Sequence, residues 1–190
     1  IVYRQEDLAD TAPPVVKPIH FEDLPTYASE PPTAPDAHEV CAVRVGLPRQ
    51  LLGTGLVIVD TPGVGGLGST HSAITIGALP TADAVLFVTD ASQELTASEM
   101  EFLRTARSLC PATVCVMTKI DFYPHWRRIL ELNKGHLQRA GISPVMLPVS
   151  SPLRMAAIEQ NDRDLNNESG FGELVAVLRD ELAARAERAS

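Results

Sequence analysis

Residues Gly55–Gly68 read GLVIVDTPGVGGLG, and the fold follows from how this stretch is understood. Four apolar residues, three of them β-branched (Leu56, Val57, Ile58, Val59), run into a carboxylate, Asp60. Such a run suits a strand of a parallel sheet buried on both faces by helices. Asp60 then stands at the carboxyl end of the strand, where open α/β sheets bind ligands. An aspartate in that position can hold Mg²⁺, usually through water, because the ion prefers hard oxygen ligands and sheds its hydration reluctantly. The chain then turns through Thr61 and Pro62 into a glycine-rich segment. Pro62 fixes one φ angle, and Gly63 lets a backbone N–H approach a terminal phosphate with no Cβ in the way.

The same letters contain a rival. Gly63, Gly65 and Gly68 spell G-x-G-x-x-G, and Asp90 follows at about the distance a dinucleotide-binding fingerprint requires. In that fingerprint, however, the first glycine comes directly off the strand. Here Asp60, Thr61 and Pro62 intervene, and the rival leaves the downstream motifs without a role.

Those motifs lie at the ends of further apolar runs. Ala84–Val88 reads as a buried strand ending near Asp90, and Thr113–Met117 as another that runs into Thr118, Lys119, Ile120 and Asp121. A third, Val145–Val149, ends in Ser150 and Ser151. The carboxylate of Asp121 can accept two hydrogen bonds from a guanine edge, whereas adenine offers no such pair of donors. Bidentate, charge-assisted pairing of this kind is strong and discriminating. The aliphatic stem of Lys119 can lie along the base. The N–H of Ser151 can donate to the guanine carbonyl, with Ser150 holding the loop.

Helical patterns separate the strands, which predicts a mainly parallel, layered sheet. A short helix is expected over 72–79, ended by Pro80. A second opens at the capping box Thr96/Glu99, with Met100, Leu103, Ala106 and Leu109 at helical spacing. Others are expected near 125–140 and 153–158, then a polar loop over 161–169 and a final helix from Phe171. Upstream, Ile1–Arg4 reads as a strand and Val40–Val45 as an edge strand forming a hairpin-like pair with 56–59. Residues 10–37, rich in Pro and acids, read as a loop or insertion.

Composition bounds the partners. With 190 residues, 45% hydrophobic, the chain is long enough for one domain with a sizeable core. A net charge of -8 offers no overall attraction to nucleic acid or to an anionic membrane surface. No apolar run approaches the ~20 residues of a membrane-spanning helix. Cys41, Cys110 and Cys115 form no C-x-x-C pair and read as small core residues. His125 and His136 show no metal-ligand spacing with cysteine. His71 reads as an exposed loop residue, Asp90 as a structural acid, and Trp126 with Tyr123 as packing at a helix start.

D-x-x-G, then T-K-x-D, then a serine-rich strand end resembles the GTPase branch of the P-loop proteins. TKID in place of NKxD is similar to the dynamin family, and VDTPGVGGLGSTHS, FVTDASQELT and TKIDFYPHW resemble bacterial dynamin-like GTPases over most of residues 38–185. The resemblance implies a three-layer α/β P-loop GTPase domain with helices on both faces of the sheet, over residues 1–170, and a C-terminal helix over 171–190 that can begin a helical stalk. It implies binding and hydrolysis of GTP. Asp60, Thr61 and Gly63 are then the catalytic residues, with Asp60 on Mg²⁺ and Gly63 at the γ-phosphate. Thr118, Lys119, Asp121, Ser150 and Ser151 hold the guanine nucleotide, GTP or GDP. It further implies membrane remodelling through a helical region outside these residues, a homodimer across the nucleotide face, and a cytoplasmic protein peripheral to the inner face of the plasma membrane.

Two departures bear on these expectations. The phosphate-binding loop G-x-x-x-x-G-K-[ST] is missing from the 190 residues, so the domain is expected to be incomplete at its N-terminus and inactive alone, its phosphate-loop strand supplied from upstream. That strand would fill a gap between 56–59 and 84–88. The position after the D-x-x-G glycine is Val64, where small signalling GTPases carry a water-orienting glutamine. A guanine-nucleotide-binding assembly module without hydrolysis is therefore an alternative, with a dinucleotide-binding oxidoreductase as a second.

Overall fold

The computed structural model describes residues 2–4, 16–29, 33–36, 40–61, 75–142 and 145–188. These fall into two compact units, residues 1–57 and 58–190.

The first unit holds a small antiparallel sheet of order β2-β1-β3, made of β1 (Val2–Arg4), β2 (Val16–Lys17) and β3 (Val40–Val43). Val2 faces Lys17 on one side and Val43 on the other, and the register with β3 slips between Tyr3 and Arg4. The expected partner of β3 was the run at 56–59. Its observed partner is β1, and residues 56–60 carry no strand pairing. The reason lies in what a strand requires: apolar residues form one only where a ladder satisfies their backbone groups. Val57, Ile58 and Val59 are 65%, 59% and 71% exposed, so their side chains are not buried either.

The Pro-rich stretch also departs from the expected loop. Pro25 stands at the first turn of a short helix, α1 (Leu24–Ala28), where its missing N–H costs nothing. Lys17 Nζ contacts Asp36 (2.6 Å) and Tyr27 Oη (3.2 Å), and Tyr27 donates to Asp36 (2.8 Å), fastening α1 and the turn at 33–36 to β2.

The second unit is the parallel α/β body. β4 (Val85–Asp90), β5 (Thr113–Thr118) and β6 (Met146–Pro148) pair in that order, all parallel. α2 (Ala97–Leu109) and α3 (Trp126–Arg139) form the crossovers. α4 (Ser151–Gln160), α5 (Arg163–Glu168) and α6 (Phe171–Arg188) follow β6. Residues 75–78 are helical and run into a 3-10 turn, Leu79–Thr81, that carries Pro80.

Alternation along β5 sorts the core into two layers, as period-two geometry demands. Cys115 and Met117 join Phe87, Met146, Leu103, Leu130 and Leu137 on the α2/α3 face. Val114 and Val116 join Leu147, Val149 and Leu174 on the α6 face. Helices therefore cover both faces, as the sequence predicts. The α2 cap forms in full: Thr96 Oγ1 accepts from Glu99 N–H, and the Glu99 carboxylate accepts from Thr96 N–H. Leu109, placed by spacing on the buried stripe, is instead 40% exposed, and Phe102 takes a core position in its stead. The polar segment at 161–169 is not all loop, because Asp162 accepts from the N–H groups of Asp164 and Leu165 and so starts α5.

Candidate nucleotide site at the carboxyl edge of the parallel sheet

Three loops leave the carboxyl ends of β4, β5 and β6, and hydrogen bonds lock them side by side. Ala91 N–H donates to Thr118 O (3.0 Å), and Thr118 Oγ1 donates to Thr89 O (3.0 Å), joining the first two. Val149 N–H donates to Met117 O (2.8 Å), joining the second and third.

The middle loop is the TKID turn. Ile120 is buried in the α2/α3 core and anchors it, which leaves Lys119 and Asp121 on either side exposed. Lys119 has φ 61°, a left-handed conformation that a residue with a Cβ adopts at a cost. Its carbonyl accepts from the N–H groups of Phe122 (3.1 Å) and Tyr123 (3.3 Å), which holds the turn. Tyr123 and Trp126 pack on the core, with Phe122 edge-on to Tyr123 and Arg127 stacked on Trp126.

Lys119 Nζ reaches back to the end of β4 and pairs with Asp90 Oδ2 at 2.8 Å. The other oxygen of Asp90 accepts from Ser92 N–H (2.9 Å) and from the Ser92 hydroxyl. The Lys119 ammonium, and then Ser92, hold the Asp90 carboxyl down to about 2, and Asp90 raises the lysine in turn. These groups line an open hollow of about 360 Å³ with Thr89, Gln93, Glu99 and Thr118.

In the third loop Ser150 is fully buried. Its hydroxyl accepts from Leu153 N–H (3.1 Å) as the N-cap of α4, and its own N–H donates to Ser169 O (2.9 Å). Ser150 thus holds the loop, while Ser151 is exposed at the first position of α4, where a helix leaves its N–H without an internal partner. Gly170 backs this arrangement with φ 70°; a Cβ there would lie 2.1 Å from Pro148 O.

The structure therefore brings together Thr118, Lys119, Asp121, Ser150 and Ser151. Asp60 and Thr61 lie on an irregular segment, and among the described residues no hydrogen bond or ion pair joins them to the other loops. Gly63, Val64, Gly65, Gly68 and His71 lie outside the described residues. Among the described residues no group of three His, Cys, Asp or Glu side chains could hold a metal ion. The Asp60 carboxylate is a hard-oxygen donor, of the kind that fits Mg²⁺ that keeps waters and takes phosphate oxygens. The residue that sequence reasoning set aside is Asp90. Its place at the end of the strand next to TKID was the available signal.

The dynamin-family sequence profile matches residues 14–120, more than half of the chain. The chain belongs to the dynamin family, and its fold is the α/β class of a P-loop GTPase domain. It is 47% identical over 168 residues to the isoniazid-induced protein IniA of Mycobacterium tuberculosis, covering 88% of this chain and 26% of that protein. It is 34% identical over 99 residues, 52% of this chain and 10% of the relative, to a probable transmembrane GTPase, FZO-like and chloroplastic, of Arabidopsis thaliana. The chain thus spans about a quarter of the length of its mycobacterial relatives. The profile match begins inside the Pro-rich stretch, upstream of the motifs that carry the resemblance. Family membership also removes the dinucleotide fingerprint as a reading of Gly63–Gly68. Among the described residues no helix is long and apolar enough to cross a membrane.

Proposed function

We propose that the protein binds guanine nucleotide at the carboxyl edge of β4, β5 and β6 and hydrolyses GTP. The observation that carries this is the side-by-side locking of the TKID turn and the Ser150–Ser151 loop at adjacent strand ends, in a chain of the dynamin family. Asp121 accepts from the guanine ring N–H and exocyclic amine, Lys119 lies along the base, and Ser151 N–H donates to the guanine carbonyl. Ser150 keeps that N–H aimed by holding the loop to Ser169. β4 is at the edge of the described sheet and Val88 is 57% exposed, which supports a further strand and phosphate loop pairing there.

Catalysis in this reading is mostly positioning and charge neutralisation. Asp60 would hold Mg²⁺, which would supply charge neutralisation at the phosphates, with Thr61 beside it and Gly63 at the γ-phosphate. Coupling to membrane remodelling, a homodimer across the nucleotide face and a peripheral location at the inner face of the plasma membrane belong to the same proposal. Phosphate release from GTP by the full-length protein, with and without Asp60→Ala, tests it. The substitution is expected to abolish release; release that survives Asp60→Ala refutes the role of Asp60, and a protein that binds GDP but never releases phosphate is an assembly module instead.

A further inference from the structure

Lys119 is the residue expected to lie along the base, and a lysine does this poorly unless its far end is held. The stem is flexible, and each rotamer fixed on binding costs affinity. Here the far end is held. The ammonium pairs with Asp90 at 2.8 Å, and Asp90 is itself fixed from its other oxygen by Ser92. The β4–β5 register sets Asp90 opposite Thr118, directly beside the turn that starts at Lys119. The other carboxylate in the hollow, Glu99, is committed to the α2 cap through Thr96 and also receives Thr89 Oγ1. The backbone of Lys119 is fixed as well, in its left-handed conformation, by Phe122 and Tyr123. Both ends of the side chain are therefore tied down across the edge of the hollow.

We propose that Asp90 is a positioning residue for guanine nucleotide binding, which holds the Lys119 ammonium so that the aliphatic stem is laid out before the base arrives. The inference rests on the guanine reading of the site. Asp90 does not touch the nucleotide in this scheme; it acts through Lys119 alone. Removing its charge should weaken binding without altering which base is chosen, because Asp121 makes that choice.

The test is calorimetric titration of GDP and ADP into the full-length protein and its Asp90→Asn, Lys119→Ala, double and Asp121→Ala variants. Asn keeps an acceptor for Ser92 N–H and so preserves the turn. Asp90→Asn is expected to weaken GDP roughly fivefold at ~0.1 M salt, the upper end for an exposed ion pair. The deficit should shrink below about twofold near 1 M salt, where screening weakens the pair in the unaltered protein. In the Lys119→Ala background the same substitution should do nothing further, since the two sites act as one. GDP binding that is unchanged or tighter in Asp90→Asn overturns the proposal, the second result making the ion pair a latch. An equal loss in the Lys119→Ala background also overturns it and makes Asp90 merely structural. If Asp121→Ala keeps the preference for GDP over ADP, the guanine reading itself fails; if that preference is lost while Asp90→Asn binds normally, only the present inference does.

Discussion

Gly170→Ala is the substitution whose cost can be worked most directly from the structure. Gly170 lies at φ 70°, and a Cβ built on it falls 2.1 Å from Pro148 O, 3.2 Å from Pro148 C and 3.4 Å from Val149 Cα. Every one of these atoms is backbone, at the end of β6, so no side chain can rotate away. The left-handed conformation costs an alanine about 1–2 kcal/mol. Relieving the overlap means moving the turn before α6 by about 1 Å, and overpacking of this kind costs roughly 1–3 kcal/mol more. The lower entropy of alanine in the unfolded chain returns about 0.5 kcal/mol. The net loss is about 1.5–4.5 kcal/mol, or a fall of roughly 3–18 °C in Tm for a domain of this size. Urea denaturation with Gly135→Ala as the comparison measures it. Gly135 lies inside α3 with nothing within 4 Å of its Cβ position, so that change should stabilise by about 0.5–1 kcal/mol. A loss below about 1 kcal/mol at Gly170 would refute the close approach of this turn to β6 and, with it, the buttress behind Ser150.

Thr96→Ala removes one half of the α2 capping box and should cost about 1–2 kcal/mol in the same urea assay. Cys115 is fully buried, and burial pushes its thiol up to about 11. Iodoacetamide near pH 8 should leave it unmodified in the folded protein and label it in denaturant, as read by mass spectrometry. Asp90 is depressed from 3.8 to about 2 by Lys119 and Ser92, so its contribution is complete above its unfolded value and is lost as pH falls through the folded one. The advantage of the wild type over Asp90→Asn, at most about 1 kcal/mol for an exposed pair, should therefore close between about pH 4 and pH 2 in acid-denaturation curves.

The parallel body was legible because each of its strands is a short apolar run that ends at a polar motif. Thr113–Met117 becomes β5 almost residue for residue, and the Thr96/Glu99 signature becomes a complete cap. Local chemistry decides such features. Residues 56–60 failed to become a strand because a strand is not a local property: Val57, Ile58 and Val59 have the composition but no ladder. Pairing of β3 with β1 was hidden for the same reason, since nothing in either segment names its partner. The positions of Lys119, Asp121 and Ser151 at adjacent strand ends could be read from type and order. The tie between Asp90 and Lys119 could not, because it depends on two strands lying in register, 29 residues apart in sequence. Ser169 and Gly170 were invisible for a further reason: their part is to carry Ser150 from behind, through backbone atoms that any sequence possesses.

The central claim is that the edge formed by β4, β5 and β6 selects guanine through Asp121. Equilibrium binding of GDP, ADP and NAD to the full-length protein in the presence of Mg²⁺, repeated with Asp121→Ala, tests it most directly. The account predicts a preference for GDP over ADP of several orders of magnitude, as expected when a site depends on the partner's hydrogen bonds, and its collapse in the variant. Equal affinity for GDP and ADP, or NAD binding indifferent to Asp121, would contradict it.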